Sequence, residues 1–249
     1  MVTAEILANY QPVIGLEIHV QLLTRSKMFS TEGFAFGSPP NTHVSAITLA
    51  HPGCLPAINL QSVEHAIRIG LALHCRINRH TYFARKNYFY PDLPKGYQLS
   101  QDHDPICEDG YLEIRLEDGS YKQIGIERIH LEEDAGKSIH DQDPQLSLLD
   151  LNRAGVGLVE VVSRPDLRSP EEAAAAMAEM RKIVRYLGIS DGNMQEGSLR
   201  CDANVSVMLK TATQYGTRVE IKNMNSFTHV ADAVQYEIER QVARIESGG

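Results

Sequence analysis

Val13-Ile14-Gly15-Leu16-Glu17-Ile18-His19-Val20 places a carboxylate and an imidazole within an apolar run. Side chains alternate across a strand, so Glu17 and His19 share one face while Leu16, Ile18 and Val20 take the other. One face can then enter a core. The other carries two groups that together can hold a divalent cation or move a proton. The same pattern also fits a half-buried strand with a wet face, so the remaining carboxylate-bearing strands must decide between the two.

Working outward, residues 23–42 read as a polar loop ending at Pro39-Pro40-Asn41, and 43–49 as a short strand before the turn His51-Pro52-Gly53. The spacing of Val63, Ile67 and Leu71 predicts a helix over 60–74. Residues 77–84 read as a strand and 85–98 as a long loop. Residues 111–117 and 121–131 form a hairpin around Glu117-Asp118-Gly119-Ser120, and 146–151 and 156–163 are further strands. Ser169-Pro170-Glu171-Glu172 has the form of a capping box, and Gly188 stops the helix that follows. Residues 198–209 and 217–222 form another strand pair. A last amphipathic helix starts near Ser226, with Phe227, Val230, Val234, Ile238 and Ile245 inward. Hairpins outnumber strict βαβ units, which predicts an α+β fold with a mainly antiparallel sheet.

With 249 residues, 43% hydrophobic, the chain has ample core for one large domain or two small ones. Its net charge of -8 argues against a broad nucleic-acid-gripping surface, which needs many Lys and Arg. Cys54, Cys75, Cys107 and Cys201 form no C-x-x-C pair, so no structural zinc is expected, and they read as reduced thiols. Met1 to Gln11 lacks a basic start followed by an apolar core, and no apolar run approaches membrane-spanning length.

Four further segments carry candidate chemistry. His130-Leu131-Glu132-Glu133-Asp134 stacks three acids at a strand end; a solvated turn is the plain alternative. Alternation puts Glu133 on one side and Glu132 and Asp134 on the other, without saying which side is functional. Glu160 lies inside Leu158-Val159-Glu160-Val161-Val162, where an unpaired carboxylate would be costly. The loop from Arg85 to Gln98 holds Lys86 and Lys95 among aromatics that can stack a base, although packed surface loops look similar. Arg200, Asp202 and Asn204 share a strand face that fits either open solvent or a water-filled passage. There is no phosphate-binding glycine loop, no dinucleotide fingerprint and no amidase nucleophile pattern. An ATP-using enzyme would need a metal-centred phosphate site instead.

Taken together, V-I-G-L-E-I-H-V, R-K-N-Y-F-Y-P-D-L-P-K-G-Y-Q, H-L-E-E-D-A-G-K, E-G-S-L-R-C-D-A-N-V and E-I-K-N-M-N-S-F resemble the family of B subunits of aspartyl/glutamyl-tRNA amidotransferases. The resemblance runs from Val13 to the last helix. It implies a cradle-like sheet similar to the glutamine synthetase and guanido kinase group. It also implies ATP-dependent phosphorylation of the side-chain carboxylate of mischarged Glu-tRNA or Asp-tRNA, followed by displacement with ammonia. By motif, Glu17, His19, Glu133 and Glu160 resemble the metal ligands, for Mg²⁺ with Mn²⁺ also admitted. Lys86, Lys95 and Asp202 resemble residues where an ammonia channel meets the kinase site, with Glu132 and Arg200 as neighbours.

The implied partners are an amidase (glutaminase) A-subunit, a small C-subunit and the acceptor end of a mischarged tRNA, with no membrane. The implied location is cytoplasmic, an organelle matrix being also compatible. Gly157 stands where the family usually has proline, and Arg164 where an acid is common. Family members continue past the last helix, so residues 1–249 are expected to form a single catalytic cradle, incomplete at its C-terminal end, without the helical and tail domains. The competing expectation is a non-catalytic scaffold that keeps the cradle.

Overall fold

The computed structural model of the protein describes residues 3–249. A short helix, α1 (Ala4–Leu7), leads into β1 (Tyr10–Gln21), which carries Glu17 and His19. Next come α2 (Leu60–Ala72), β2 (Arg76–Ile77), β3 (Ala84–Asn87), β4 (Tyr97–Ser100), β5 (Cys107–Arg115) and β6 (Tyr121–Glu133). β7 (Lys137–Ile139), β8 (Leu148–Asp150), β9 (Gly157–Ser163), α3 (Pro170–Tyr186), β10 (Leu199–Leu209), β11 (Val219–Met224) and α4 (Phe227–Glu246) complete the chain.

Nine strands form one sheet in the order β11-β10-β1-β9-β6-β4-β3, with β5 also on β6 and β2 on β5. Every pairing is antiparallel. This is the α+β architecture that the hairpin pattern predicts. β7 and β8 form a separate two-stranded sheet.

The sheet has one covered face. Leu16, Ile18 and Val20 of β1 lie level with Val159 and Val161 of β9, Ile129 and Leu131 of β6, and Leu199, Cys201 and Ala203 of β10, all buried. Helices α2, α3 and α4 supply Ala66, Ile69, Met177, Met180, Val230 and Val234 to the same cluster. Each large aliphatic side chain so buried contributes about 1.5–3 kcal/mol. Gly70 lets α2 approach the sheet: a Cβ there would stand 2.4 Å from Cys107 Sγ. At the start of α3, the Ser169 hydroxyl accepts from the Glu172 amide at 3.2 Å. The Glu172 carboxylate does not close the box on Ser169; it accepts from the Arg168 amide and from Lys122 Nζ.

Several expectations are corrected. Residues 43–49 are turns, because Ser45 bonds the Thr48 amide and its carbonyl accepts from Leu49. Most of 77–84 is irregular, since Asn78 and Thr81 spend their side chains on the Pro105 and Asp104 carbonyls. The 85–98 loop is a hairpin, with Lys86 opposite Gln98. Leu71, on the stripe with Val63 and Ile67, and Ile245, expected to face inward, are exposed; α2 buries Ser62, His65, Ala66, Ile69 and Gly70.

Candidate functional site

Strand register assembles the site on the open face of the sheet. Arg200 of β10 pairs with His19 of β1, His19 with Glu160 of β9, and Glu160 with His130 of β6. One row across four strands thus reads Arg, His, Glu, His. The row beside it holds Asp202 opposite Glu17. Glu132, two residues past His130, comes onto the same face by alternation.

His19 Nε2 lies 3.4 Å from Glu160 Oε2, and His130 Nε2 lies 3.3 Å from the same oxygen. His19, Glu132 and Glu160 offer ligand atoms that all lie within 4.8 Å of one another. Gln98 Nε2 donates to Glu132 Oε1 at 3.2 Å and to the Glu133 carbonyl at 2.7 Å, which steadies this end of β6. Burial opposes ionisation of Glu160, but the two imidazoles outweigh it and hold the carboxyl far below the usual carboxylate range. Burial also pulls the His19 pKa down, and the adjacent Glu160 more than reverses this, raising it above the ordinary imidazole value.

Glu17, His19, Glu133 and Glu160 do not meet at one centre. Glu132, not Glu133, joins His19 and Glu160. The Glu133 carboxylate turns to the other side of β6, where it accepts from Lys95 Nζ and from the Leu99 amide. Burial there pushes its pKa up, with Lys95 only partly offsetting. Glu17 accepts from Asn204 Nδ2 at 2.8 Å and lines a cavity with Glu132 and Glu160.

The remaining candidates separate similarly. Lys86 Nζ stands 3.6 Å from Glu132 Oε2 on a side chain that is 60% exposed, whereas Lys95 is mostly buried on Glu133. Arg200 Nη2 donates to Asp134 Oδ2 at 2.7 Å, and Asp202 Oδ2 accepts from Lys222 Nζ at 3.2 Å. Arg164, a departure from the resemblance, pairs with Asp109 at 2.8 Å. His130 and Asp134, both within His130-Leu131-Glu132-Glu133-Asp134, reach the site without a role implied by the resemblance. Alternation with Glu132 places His130 on the open face, but only register sets it beside Glu160.

The three-residue group lies between two cavities. One, of about 490 Å³, is lined by His19, Glu132, Asp134, Arg200, Asp202 and Lys222 among others. The second, of about 290 Å³, includes Glu160, Glu132, Arg85, Lys86, Arg128 and His130. One imidazole and two carboxylates suit Mg²⁺ or Mn²⁺, which complete their shells with water and substrate oxygens. Among the described residues, no helix is long and apolar enough to cross a membrane.

Comparison with known proteins gives the family of the chain. Residues 12–247 match the model of the GatB/GatE catalytic domain. The chain is 58% identical over 241 residues to the B subunit of the aspartyl/glutamyl-tRNA(Asn/Gln) amidotransferase of Chlorobaculum tepidum. It is 57% identical over 248 residues to the protein of the same name from Salinibacter ruber, and 57% over 241 residues to that of Pseudomonas aeruginosa. These matches cover 96–97% of the chain and 49–50% of each relative, so the chain spans about half the length of these curated relatives. The chain belongs to the GatB/GatE catalytic-domain family.

Proposed function

We propose that the chain supplies the phosphorylating and amide-forming site of an ATP-dependent tRNA amidotransferase. The reaction converts mischarged Glu-tRNA or Asp-tRNA to Gln-tRNA or Asn-tRNA. The observation that carries this reading is the convergence of His19, Glu132 and Glu160 between two separate polar cavities. A carboxylate is a poor electrophile, and an acyl phosphate gives ammonia a leaving group to displace. Two substrates would therefore need access to this group of side chains, and a cavity lies on either side of it.

His19, Glu132 and Glu160 would hold the ion, Mg²⁺ or Mn²⁺. When bound, it neutralises charge on the transferring phosphoryl group. Arg85, Lys86 and Arg128 make the 290 Å³ cavity the fitting place for a polyphosphate. Arg200 and Lys222 in the 490 Å³ cavity suit the aminoacyl carboxylate. Lys86, long and exposed, can swing from Glu132 to a phosphate oxygen. The Arg200 and Asp202 face offers hydrogen-bonding groups for ammonia to exchange along.

Ammonia would come from a partner amidase, the A-subunit of a complex that also includes the small C-subunit. We place the sheet with the glutamine synthetase and guanido kinase cradles, residues 1–249 as its catalytic domain, and the reaction in the cytoplasm. The test uses the intact amidotransferase complex, supplied with mischarged tRNA, ATP and either glutamine or ammonium chloride. His19→Ala and Glu132→Gln should abolish both ADP and amide formation while glutamine hydrolysis continues. Undiminished tRNA-dependent ADP formation in both variants would contradict the assignment.

A further inference from the structure

We infer that His130 is a positioning residue that holds the Glu160 carboxylate toward the candidate cation site; the inference rests on the metal reading above. One oxygen, Glu160 Oε2, faces both imidazoles, His19 at 3.4 Å and His130 at 3.3 Å. The two rings are not equivalent. The His19 side chain is 19% exposed, lines the 490 Å³ cavity and groups with Glu132. The His130 side chain is 2% exposed and lies outside the three-ligand group.

A ring nitrogen binds a cation through its lone pair and then has no proton to donate. Were the His19 ring to hold a cation, His130 Nε2–H would be the imidazole donor left to Glu160. A proton on that atom would meet the Glu160 carboxylate 3.3 Å away. His130 Nδ1 is buried without a hydrogen-bond partner, so an N–H there would be buried and unsatisfied. Its backbone is equally constrained, between the fully buried Ile129 and Leu131, in register with Glu160. The same cavity wall holds two further carboxylates, Glu17 and Glu132. A partner behind a ligating group, keeping it aimed, is a general device of metal sites.

The experiment is Mn²⁺ titration of the chain, followed by the electron paramagnetic resonance signal of free Mn²⁺, alongside urea unfolding without metal. His130→Leu should weaken Mn²⁺ binding roughly 10- to 100-fold. His130→Gln, whose amide keeps an N–H donor, should restore most of that affinity. His130→Phe keeps ring volume without nitrogens and should behave as His130→Leu; it replaces that variant should leucine fail to fold. A folded His130→Leu or His130→Phe protein with wild-type affinity overturns the positioning role and leaves the metal reading standing. So does a His130→Gln protein as weak as leucine despite wild-type stability. Absent Mn²⁺ uptake by the wild type, or uptake unchanged in His19→Ala, overturns the metal reading and the positioning role with it.

Discussion

Glu132 and Glu133 are neighbours in the chain but serve opposite sides of β6. The Glu132 carboxylate joins His19 and Glu160 on the open face, with Lys86 at 3.6 Å, while the Glu133 carboxylate is held by Lys95 and the Leu99 amide. Period-two alternation makes this separation unavoidable in a strand. It divides two acids and two lysines between the open face, with Glu132 and Lys86, and the opposite side of the strand, with Glu133 and Lys95.

Substitutions should therefore separate in stability. Glu133→Gln leaves the mostly buried Lys95 ammonium without its counter-ion, at a cost of roughly 3 kcal/mol. Lys86→Ala removes an exposed partner of Glu132 and should change stability by less than about 1 kcal/mol. Urea unfolding of both variants checks this. Equal losses would mean the two pairs share one role.

Lys86→Ala should nevertheless act on chemistry. In the assembled complex, amide formation should fall at least roughly tenfold, as for loss of a charge-stabilising group, with glutamine hydrolysis little changed. Parallel loss of both activities would point to an assembly defect instead.

Lys27 gives a pH signature. Its side chain is buried, donating to the His43 carbonyl at 2.6 Å with Glu32 at 3.6 Å, and burial lowers its pKa from 10.5 to about 8, Glu32 partly offsetting. Between those values the unfolded chain binds more protons than the folded one, so this residue makes stability rise with pH across that window. The full rise is roughly 3 kcal/mol. The difference in unfolding free energy between wild type and Lys27→Met, measured across the window, should show it. A flat or falling difference would contradict the buried ammonium.

Gly70 tests the packing of α2. Gly70→Ala places a Cβ against Cys107 Sγ and should cost about 1–3 kcal/mol. Adding Cys107→Ala removes the sulfur and should recover part of that loss. No recovery would put the clash elsewhere, for instance at Ile77, whose Cδ1 would lie 2.9 Å away.

Much of the fold was legible because long periodic segments report their own burial. Leu16, Ile18 and Val20 announce the covered face, and the Ser169-Pro170 start and Gly188 stop bracket α3. Short segments were misread where side chains compete with the ladder for backbone partners, as Ser45, Asn78 and Thr81 do. In the site, alternation shows that Glu17 shares a face with His19, and that Glu132 and Glu133 part. It does not show which strands adjoin. The His19–Glu160–His130 row depends on β9 lying between β1 and β6, and no local pattern encodes that order. The resemblance implies Glu133 beside His19 and Glu160, whereas the strand register brings Glu132 to them.

Anomalous diffraction from crystals of the chain soaked in Mn²⁺ would locate the proposed cation. One strong anomalous peak is expected, bounded by the His19 ring and the Glu132 and Glu160 carboxylates, absent after Glu132→Gln and retained after Glu133→Gln. A peak beside Glu133 and Lys95, or none between His19 and Glu160, would contradict it.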